Sequence, residues 1–259
     1  MDLHLKGRTA LVTGASKGIG LAIAQGLANE GCNLHLASRS AADLDEARAR
    51  ILSAAQVEVV CHALDLSETA SVEELARRCG QVDILVNNAG AIPAGRLLGV
   101  DAAKWRKAWD LKVFGYIDLS RAVYAGMRQR RSGVIINVIG LAGERMKSDY
   151  IAGSTGNAAL MAFTRALGGE SVDSGVRVVG VNPGQIETER LRNALEQRAA
   201  KMLGDAGRWM EFVKNPPLGR LGRPQEIADV VAFLASDRAS FISGTIVTVD
   251  AGRSARNPD

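Results

Sequence analysis

Apolar residues fall into short runs separated by longer amphipathic stretches, and the two kinds of segment alternate along most of the chain. The runs Thr9 to Thr13, Asn33 to Ala37, Val57 to His62, Val82 to Val86, Val134 to Val138, Val176 to Val181 and Ile246 to Val249 read as strands. Most are apolar on both faces, which suits strands covered by helices on both sides. Helical patterns lie between them, over Ile19 to Asn29, Ala42 to Leu52, Ser71 to Arg78, Ala102 to Arg128, Ala158 to Val172 and Gln225 to Leu234. This alternation predicts an α/β fold: a doubly wound parallel sheet of about seven strands, with right-handed crossovers. The segment from Glu187 to Asn215 breaks the rhythm, being polar and helical with no strand. It reads as an insertion after the sixth strand. Ligands of such sheets bind beyond the carboxyl ends of the strands, so residues 187–215 are expected to form a lid over a substrate cleft.

The 259 residues are 47% apolar and carry no proline-rich or serine-rich linker, so a single domain over residues 1–259 is expected. The net charge of +4 comes from 32 basic and 28 acidic residues scattered along the chain, and aromatics make up only 4%. Nucleic-acid binding, which calls for clustered cations interleaved with aromatics, is not expected. Cys32, Cys61 and Cys79 show no Cys-x-x-Cys spacing, which suits a reducing compartment. No leader-like apolar region opens the chain, and no stretch approaches the ~20 apolar residues of a membrane span. The expected location is the cytoplasm, away from any membrane. His4, His35 and His62 lack ligand spacing, and no metal site is expected.

Directly after the first strand stands Thr13-Gly14-Ala15-Ser16-Lys17-Gly18-Ile19-Gly20, which opens the first helix. Glycines there permit a tight turn and close backbone approach, and a helix N-terminus presents unpaired N–H groups to phosphate. Asn87-Asn88-Ala89-Gly90 follows the fourth strand, and Asn182-Pro183-Gly184-Gln185-Ile186-Glu187-Thr188 follows the sixth. Pro224-Gln225-Glu226-Ile227-Ala228, Phe233-Leu234-Ala235-Ser236 and Val249-Asp250-Ala251-Gly252 complete an ordered series from about residue 7 to 252. In these motifs the chain resembles the short-chain dehydrogenase/reductase family.

The resemblance implies a Rossmann-type fold that binds NAD(P) and assembles as a dimer or tetramer of identical chains. It places Gly14, Ser16, Lys17, Gly18, Ile19 and Gly20 at the cofactor phosphates, and Asp65 with Leu66 at the adenine. It places Asn88, Ala89 and Gly90 at the adenosine ribose, and Pro183, Gly184, Ile186 and Thr188 at the nicotinamide end. Asn87 is expected to brace the sheet instead. An acidic residue at the end of the second strand would repel a 2′-phosphate. This chain has Ser38 and Arg39 there, with Lys17 nearby. A hydroxyl and two cations suit that phosphate, so NADP(H) is expected over NAD(H).

The family's usual catalytic set is an Asn, a Ser and a Tyr-x-x-x-Lys pair. Ungapped comparison places Lys112, Gly140, Gly153 and Asn157 at those positions. Tyr150 precedes the usual tyrosine position by three residues, on what reads as the same helical face. It is the candidate acid, with Lys112 stabilising its ionised form and Asn157 holding the nicotinamide ribose; plain packing of Tyr150 is the competing reading. Arg145, Lys147 and Arg190 offer charge to an anionic substrate. Three functions stay open: an oxidoreductase on a carbonyl or alcohol, a cofactor-binding sensor or inactive partner, and a non-redox dehydratase or isomerase.

Overall fold

The computed structural model describes residues 2–213 and 215–256. Lys214, within the expected lid, and the outermost residues of the expected 1–259 domain lie outside the described residues. The seven strands are β1 (Thr9–Thr13), β2 (Asn33–Ser38), β3 (Val59–Ala63), β4 (Ile84–Asn87), β5 (Gly133–Val138), β6 (Val176–Pro183) and β7 (Ile246–Val249). They form one sheet in the order β3-β2-β1-β4-β5-β6-β7, with every neighbouring pair parallel. The order reverses between β1 and β4, which opens a crevice at their carboxyl ends where such sheets bind ligands.

Alternation along each strand divides the core between the two faces of the sheet. Val12, Leu34, Ile84, Ile136 and Val179 pack beneath helices α1 (Gly18–Asn29), α2 (Ala41–Leu52) and α8 (Pro224–Ala235). Their strand neighbours Leu11, Leu85, Ile135 and Val178 face α3 (Thr69–Cys79) and α5 (Gly115–Arg130). A strand buried on both faces has no polar side to write into the sequence, so the continuous apolar runs are the expected signature. Two further helices, α4 (Ala102–Trp109) and α6 (Ile151–Glu170), lie beside α5 on that second face. Among the described residues no helix is long and apolar enough to cross a membrane.

Two expectations about the helices need correction. The pattern over Ala102 to Arg128 suggests one helix, but a π-helical turn over Asp110–Phe114 divides it into α4 and α5. Gly115 explains part of this, since a Cβ there would lie 2.9 Å from the Leu66 carbonyl oxygen. Such single π-turns concentrate at functional sites, and this one carries Lys112. The helix expected from Ala158 starts at Ile151 instead. Its first turns hold Gly153, Gly156 and Asn157, residues with no apolar periodicity to detect. They serve close approach: a Cβ on Gly156 would stand 3.2 Å from the Trp109 indole nitrogen, which donates to the Ala152 carbonyl at 3.0 Å.

The segment after β6 is helical as expected, with α7 (Glu189–Leu203) followed by a kinked 3₁₀ segment over Ala206–Phe212. It has a small apolar centre of its own in Leu195, Val213 and Leu221, against which Leu191, Trp209 and Phe212 pack. Arg198 stacks 4.6 Å above the Phe212 ring. The chain enters this segment pinned to the body by Glu187 N–H, which donates to the Gly222 carbonyl at 2.8 Å.

Candidate active site

The glycine loop turns sharply off the end of β1. Gly14 takes a φ of +63°, and a Cβ there would meet Ala89 Cα and Asn88 Nδ2 at 3.0 Å. Gly20 packs so closely that a Cβ would stand 2.2 Å from the Gly14 carbonyl oxygen. Asn88 holds the turn from the far side, its amide donating to the carbonyls of Thr13 (3.0 Å) and Gly14 (3.3 Å). The Thr13 hydroxyl in turn accepts from the backbone N–H of Asn88 and of Ala89. Asn87 points into the sheet, bonding to Ser120 and Asn137. At the start of α1 no side chain caps the helix, and its first turn has no acidic residue. Free N–H groups and the positive end of the helix dipole therefore face the crevice, an arrangement that suits phosphate.

At the end of β2, the Ser38 hydroxyl lies 3.1 Å from that of Ser16. Arg39 beside it is exposed. Lys17 is not a free cation: its ammonium pairs with Asp43 of α2 at 3.2 Å. A cavity of about 370 Å³ opens here, bounded by Arg39, Asp65, Ser67, Ile92, Lys107 and Arg190. Burial raises the Asp65 carboxyl, but bonds from the Ser67 backbone and hydroxyl, with the charges of Arg39 and Lys107, more than offset it. Asp65 is thus a fixed carboxylate within reach of Arg39's field.

On the other side of the crevice, two residues past the end of β5, Gly140 has a φ of +132° that residues with a side chain rarely adopt. Gly140 N–H donates to Asn182 Oδ1 at 3.2 Å, and Asn157 Nδ2 donates to the Gly140 carbonyl at 3.3 Å. Asn157 Oδ1 and Asn182 Nδ2 are buried with no partner among the described residues. Lys112 reaches over from the π-turn and donates to the carbonyls of Ile139 (2.8 Å) and Val138 (3.2 Å). Its stem occupies the space beside Gly90, where a Cβ would lie 2.5 Å from Lys112 Cδ. Burial, reinforced by Arg190, lowers the Lys112 ammonium to about 7.

Tyr150 lies over Gly153. A Cβ on Gly153 would fall 2.0 Å from Tyr150 Cε1 and 2.1 Å from Cζ, so the ring fills the place of the missing side chain. Burial raises the Tyr150 phenol while the Arg190 charge opposes it, and the group stays protonated at neutral pH. Arg190 itself, from the first turn of α7, donates to the Gly90 carbonyl at 2.6 Å.

A family model described as Enoyl-(Acyl carrier protein) reductase matches residues 14–254. The chain belongs to the short-chain dehydrogenase/reductase family. It is 37% identical over 257 residues to a 3-oxoacyl-(acyl-carrier-protein) reductase of Pseudomonas aeruginosa, covering 96% of this chain and 98% of that one. A 2-keto-3-deoxy-L-fuconate dehydrogenase of Xanthomonas campestris pv. campestris is 33% identical over 254 residues, 97% of this chain and 81% of that one. The structure of L-sorbose reductase from Gluconobacter frateurii, complexed with NADPH and L-sorbose, superposes with a TM-score of 0.93 at 31% identity. That superposition covers 99% of this chain and all of the reductase.

The structure brings the glycine loop against Asn88 and Ala89 and sets Arg39 and Asp65 on one cavity, while Gly184 and Ile186 line a second pocket with Gly222 and Asp250. Thr188 approaches the loop directly, since a Cβ on Gly18 would stand 3.4 Å from its methyl. Three expectations change. Tyr150 is not inside the helix but caps it at φ −140° and ψ 41°, so it reaches position 153 by folding back rather than by sharing a helical face. Lys112 donates to two carbonyls at and just past the end of β5, and the cation acting on the Tyr150 phenol is Arg190. Arg145 is withdrawn from the cleft, its guanidinium bonding the carbonyls of Arg253 and Arg256. Nothing in the spacing of Arg190 hinted at the first of its two contacts; only the fold brings α7 to Gly90.

Proposed function

We propose that the chain is an NADP(H)-dependent oxidoreductase that interconverts a carbonyl and an alcohol on a small molecule, with Tyr150 as the proton donor. The observation that carries this reading is the Tyr150 ring standing in the place that position 153 leaves empty. The usual set is replaced rather than simply lost: Lys112, Gly140, Gly153 and Asn157 occupy its positions, and a phenol refills the volume.

The residues present fit the cofactor. A turn so tight that a Cβ at Gly20 would strike the Gly14 carbonyl, together with an uncapped α1 N-terminus, suits a pyrophosphate. The orphaned Asn157 Oδ1 is an acceptor for a ribose hydroxyl at the nicotinamide end. When bound, NADPH supplies a hydride to the carbonyl carbon. Tyr150 then gives its phenolic proton to the carbonyl oxygen, and the alcohol forms. Arg190 offsets the phenolate charge until a proton returns from solvent. Arg190 also bridges α7 to Gly90, so the segment that covers the substrate carries the charge that supports the chemistry. The substrate class is a hydroxylated carbonyl compound, in line with the sugar and sugar-acid relatives, and Arg190 with Lys147 supplies charge for a carboxylate. The sensor and the dehydratase or isomerase readings are weaker, because relatives matched along nearly the whole chain are named as dehydrogenases and reductases.

Ser38 and Arg39 support NADP(H) over NAD(H). With Lys17 tied to Asp43, Arg39 is the principal cation for the 2′-phosphate. Titration should show at least a tenfold preference for NADPH, or ~1.4 kcal/mol, and Arg39→Ala should remove most of it while Lys17→Ala removes little. Equal binding of the two cofactors by the unmutated protein would refute the assignment.

The α7 segment is expected to act as a lid. Lids order when ligands complete the site, so hydrogen exchange over residues 187–213 should slow when NADPH and substrate are both present. Full protection of the same amides in the empty protein would count against a closing motion. Activity itself is tested by NADPH oxidation with ketoses, keto acids and simple ketones.

A further inference from the structure

Away from the crevice, three side chains that the sequence scatters are brought to one point. His35 on β2 and His62 on β3 are not direct partners, since His35 pairs with Val60 and Ala37 with His62. That register sets the two imidazoles diagonally on one face of the sheet, with rings 5.1 Å apart and tilted by 28°. Cys79, the last residue of α3, comes down onto the same face. His35 Nδ1 lies 2.9 Å from His62 Nε2, and Cys79 Sγ lies 3.8 Å from that same nitrogen. All three atoms are within 4.8 Å of one another.

We infer that His35 Nδ1, His62 Nε2 and Cys79 Sγ form a binding site for a soft divalent transition metal, zinc(II) foremost. The donor set is two imidazoles and a thiol, a mixture that zinc takes in preference to harder ions. Zinc bonds of about 2.05 Å to nitrogen and about 2.3 Å to sulfur, at tetrahedral angles, set N···N near 3.4 Å and N···S near 3.6 Å. The His35–His62 and His62–Cys79 separations differ from these by about half an ångström or less, and the His35–Cys79 pair lies within 4.8 Å, so side-chain torsions have to close the set. One nitrogen cannot serve both neighbours well: His62 Nε2 faces His35 and Cys79 at once, whereas a metal at their centre engages all three.

Burial acts on the donors in both directions, favouring neutral imidazoles and opposing the thiolate. Burial lowers both imidazoles, His62 to about 4, and so favours the neutral form that ligates, with the Arg78 charge acting in the same direction on His62. The Arg78 guanidinium is itself engaged by Glu74 one turn earlier. Burial pushes the Cys79 thiol up to about 12, so binding exchanges its S–H bond for a metal–sulfur bond and releases one proton to solvent. His62 and Cys79 are buried while His35 is half-buried, so the open side of the set lies at His35. The site sits three residues before Ser38 on β2 and three before Asp65 on β3, on the strands that lead to the cofactor cavity.

The test uses the full chain, stripped with chelator and titrated with zinc(II), and with cobalt(II) as a coloured substitute. One equivalent should bind, with a thiolate-to-cobalt charge-transfer band and one proton released. Cys79→Ser should abolish the band and weaken zinc binding at least tenfold. His35→Asn, at the half-exposed member, should weaken binding by a similar factor with an unchanged melting profile, which keeps the test valid if the buried substitution disturbs folding. Failure of the unmutated chain to hold one equivalent would overturn the site, and so would undiminished binding by both variants, which would place the metal elsewhere.

Discussion

Tyr150→Phe should lower turnover of a carbonyl substrate by about 10² to 10⁴-fold, the usual contribution of a positioned general acid, while NADPH affinity stays nearly unchanged. The substitution removes one oxygen and leaves the ring, so the packing over Gly153 survives and the loss belongs to the proton. Binding should hold because the cofactor contacts assigned to the glycine loop, Arg39 and Asn88 lie on other elements. Arg190→Gln should cause a smaller loss, since it removes the charge that opposes burial at the phenol and leaves the proton in place. Measured kcat with saturating NADPH, alongside a fluorescence titration of the cofactor, separates these effects. Full activity in Tyr150→Phe would mean that the proton comes from another group, with Lys112, lowered to about 7, as the next candidate.

A second large effect is expected from a substitution that looks harmless. Gly153 is in the first turn of α6, and alanine in a helix is favoured over glycine by up to about 1 kcal/mol. Helix propensity alone predicts that Gly153→Ala stabilises the protein. Its methyl carbon would lie 2.0 Å from Tyr150 Cε1, however, so the ring must leave. Misplacement of a reacting group by about 1 Å can cost on the order of 10²-fold, and Gly153→Ala should lose activity on that scale with its melting temperature unchanged or raised. Rebuilding the family's usual set meets the same obstacle. Tyrosine at 153 competes with Tyr150 for one volume, at the 1–3 kcal/mol typical of overpacked sites. Serine at 140 must adopt a φ near +132°, which residues with a side chain rarely take. A triple restoration that retains Tyr150 should therefore be less stable than the unmutated chain. Loss of activity and stability together in Gly153→Ala would point to a structural role for the glycine.

Much of this architecture is written locally. All seven strands and the glycine loop can be read from the sequence, because most of the strands are apolar on both faces and Gly14 and Gly20 are needed at close approaches and Gly18 at a positive φ. Boundaries fail where tertiary contacts decide them. The π-turn around Lys112 answers to the crowding of Gly115 against Leu66, two segments far apart in the chain. The start of α6 is hidden because small residues there serve approach to Trp109 and carry no apolar period. At the site, the residue types at positions 112, 140, 153 and 157 follow from alignment, but their consequences do not. That Lys112 bonds carbonyls at and just past the end of β5, that Lys17 is neutralised by Asp43 and that Arg190 reaches Gly90 are all long-range pairings. The histidine pair shows the same limit: 27 residues separate His35 from His62, and only the register of β2 on β3 makes them neighbours.

The central claim is that Tyr150 faces the reacting carbon from the position left by Gly153. A crystal structure of the protein with NADPH and an unreactive alcohol or ketone tests it most directly. The account predicts nicotinamide C4 opposite the Tyr150 hydroxyl, with a substrate oxygen at hydrogen-bonding distance from that hydroxyl and Arg190 on the same side. It also predicts the ribose on Asn157 Oδ1, the acceptor that lacks a partner. Nicotinamide C4 directed away from Tyr150, with the phenol packed against protein and no substrate oxygen within reach, would contradict it.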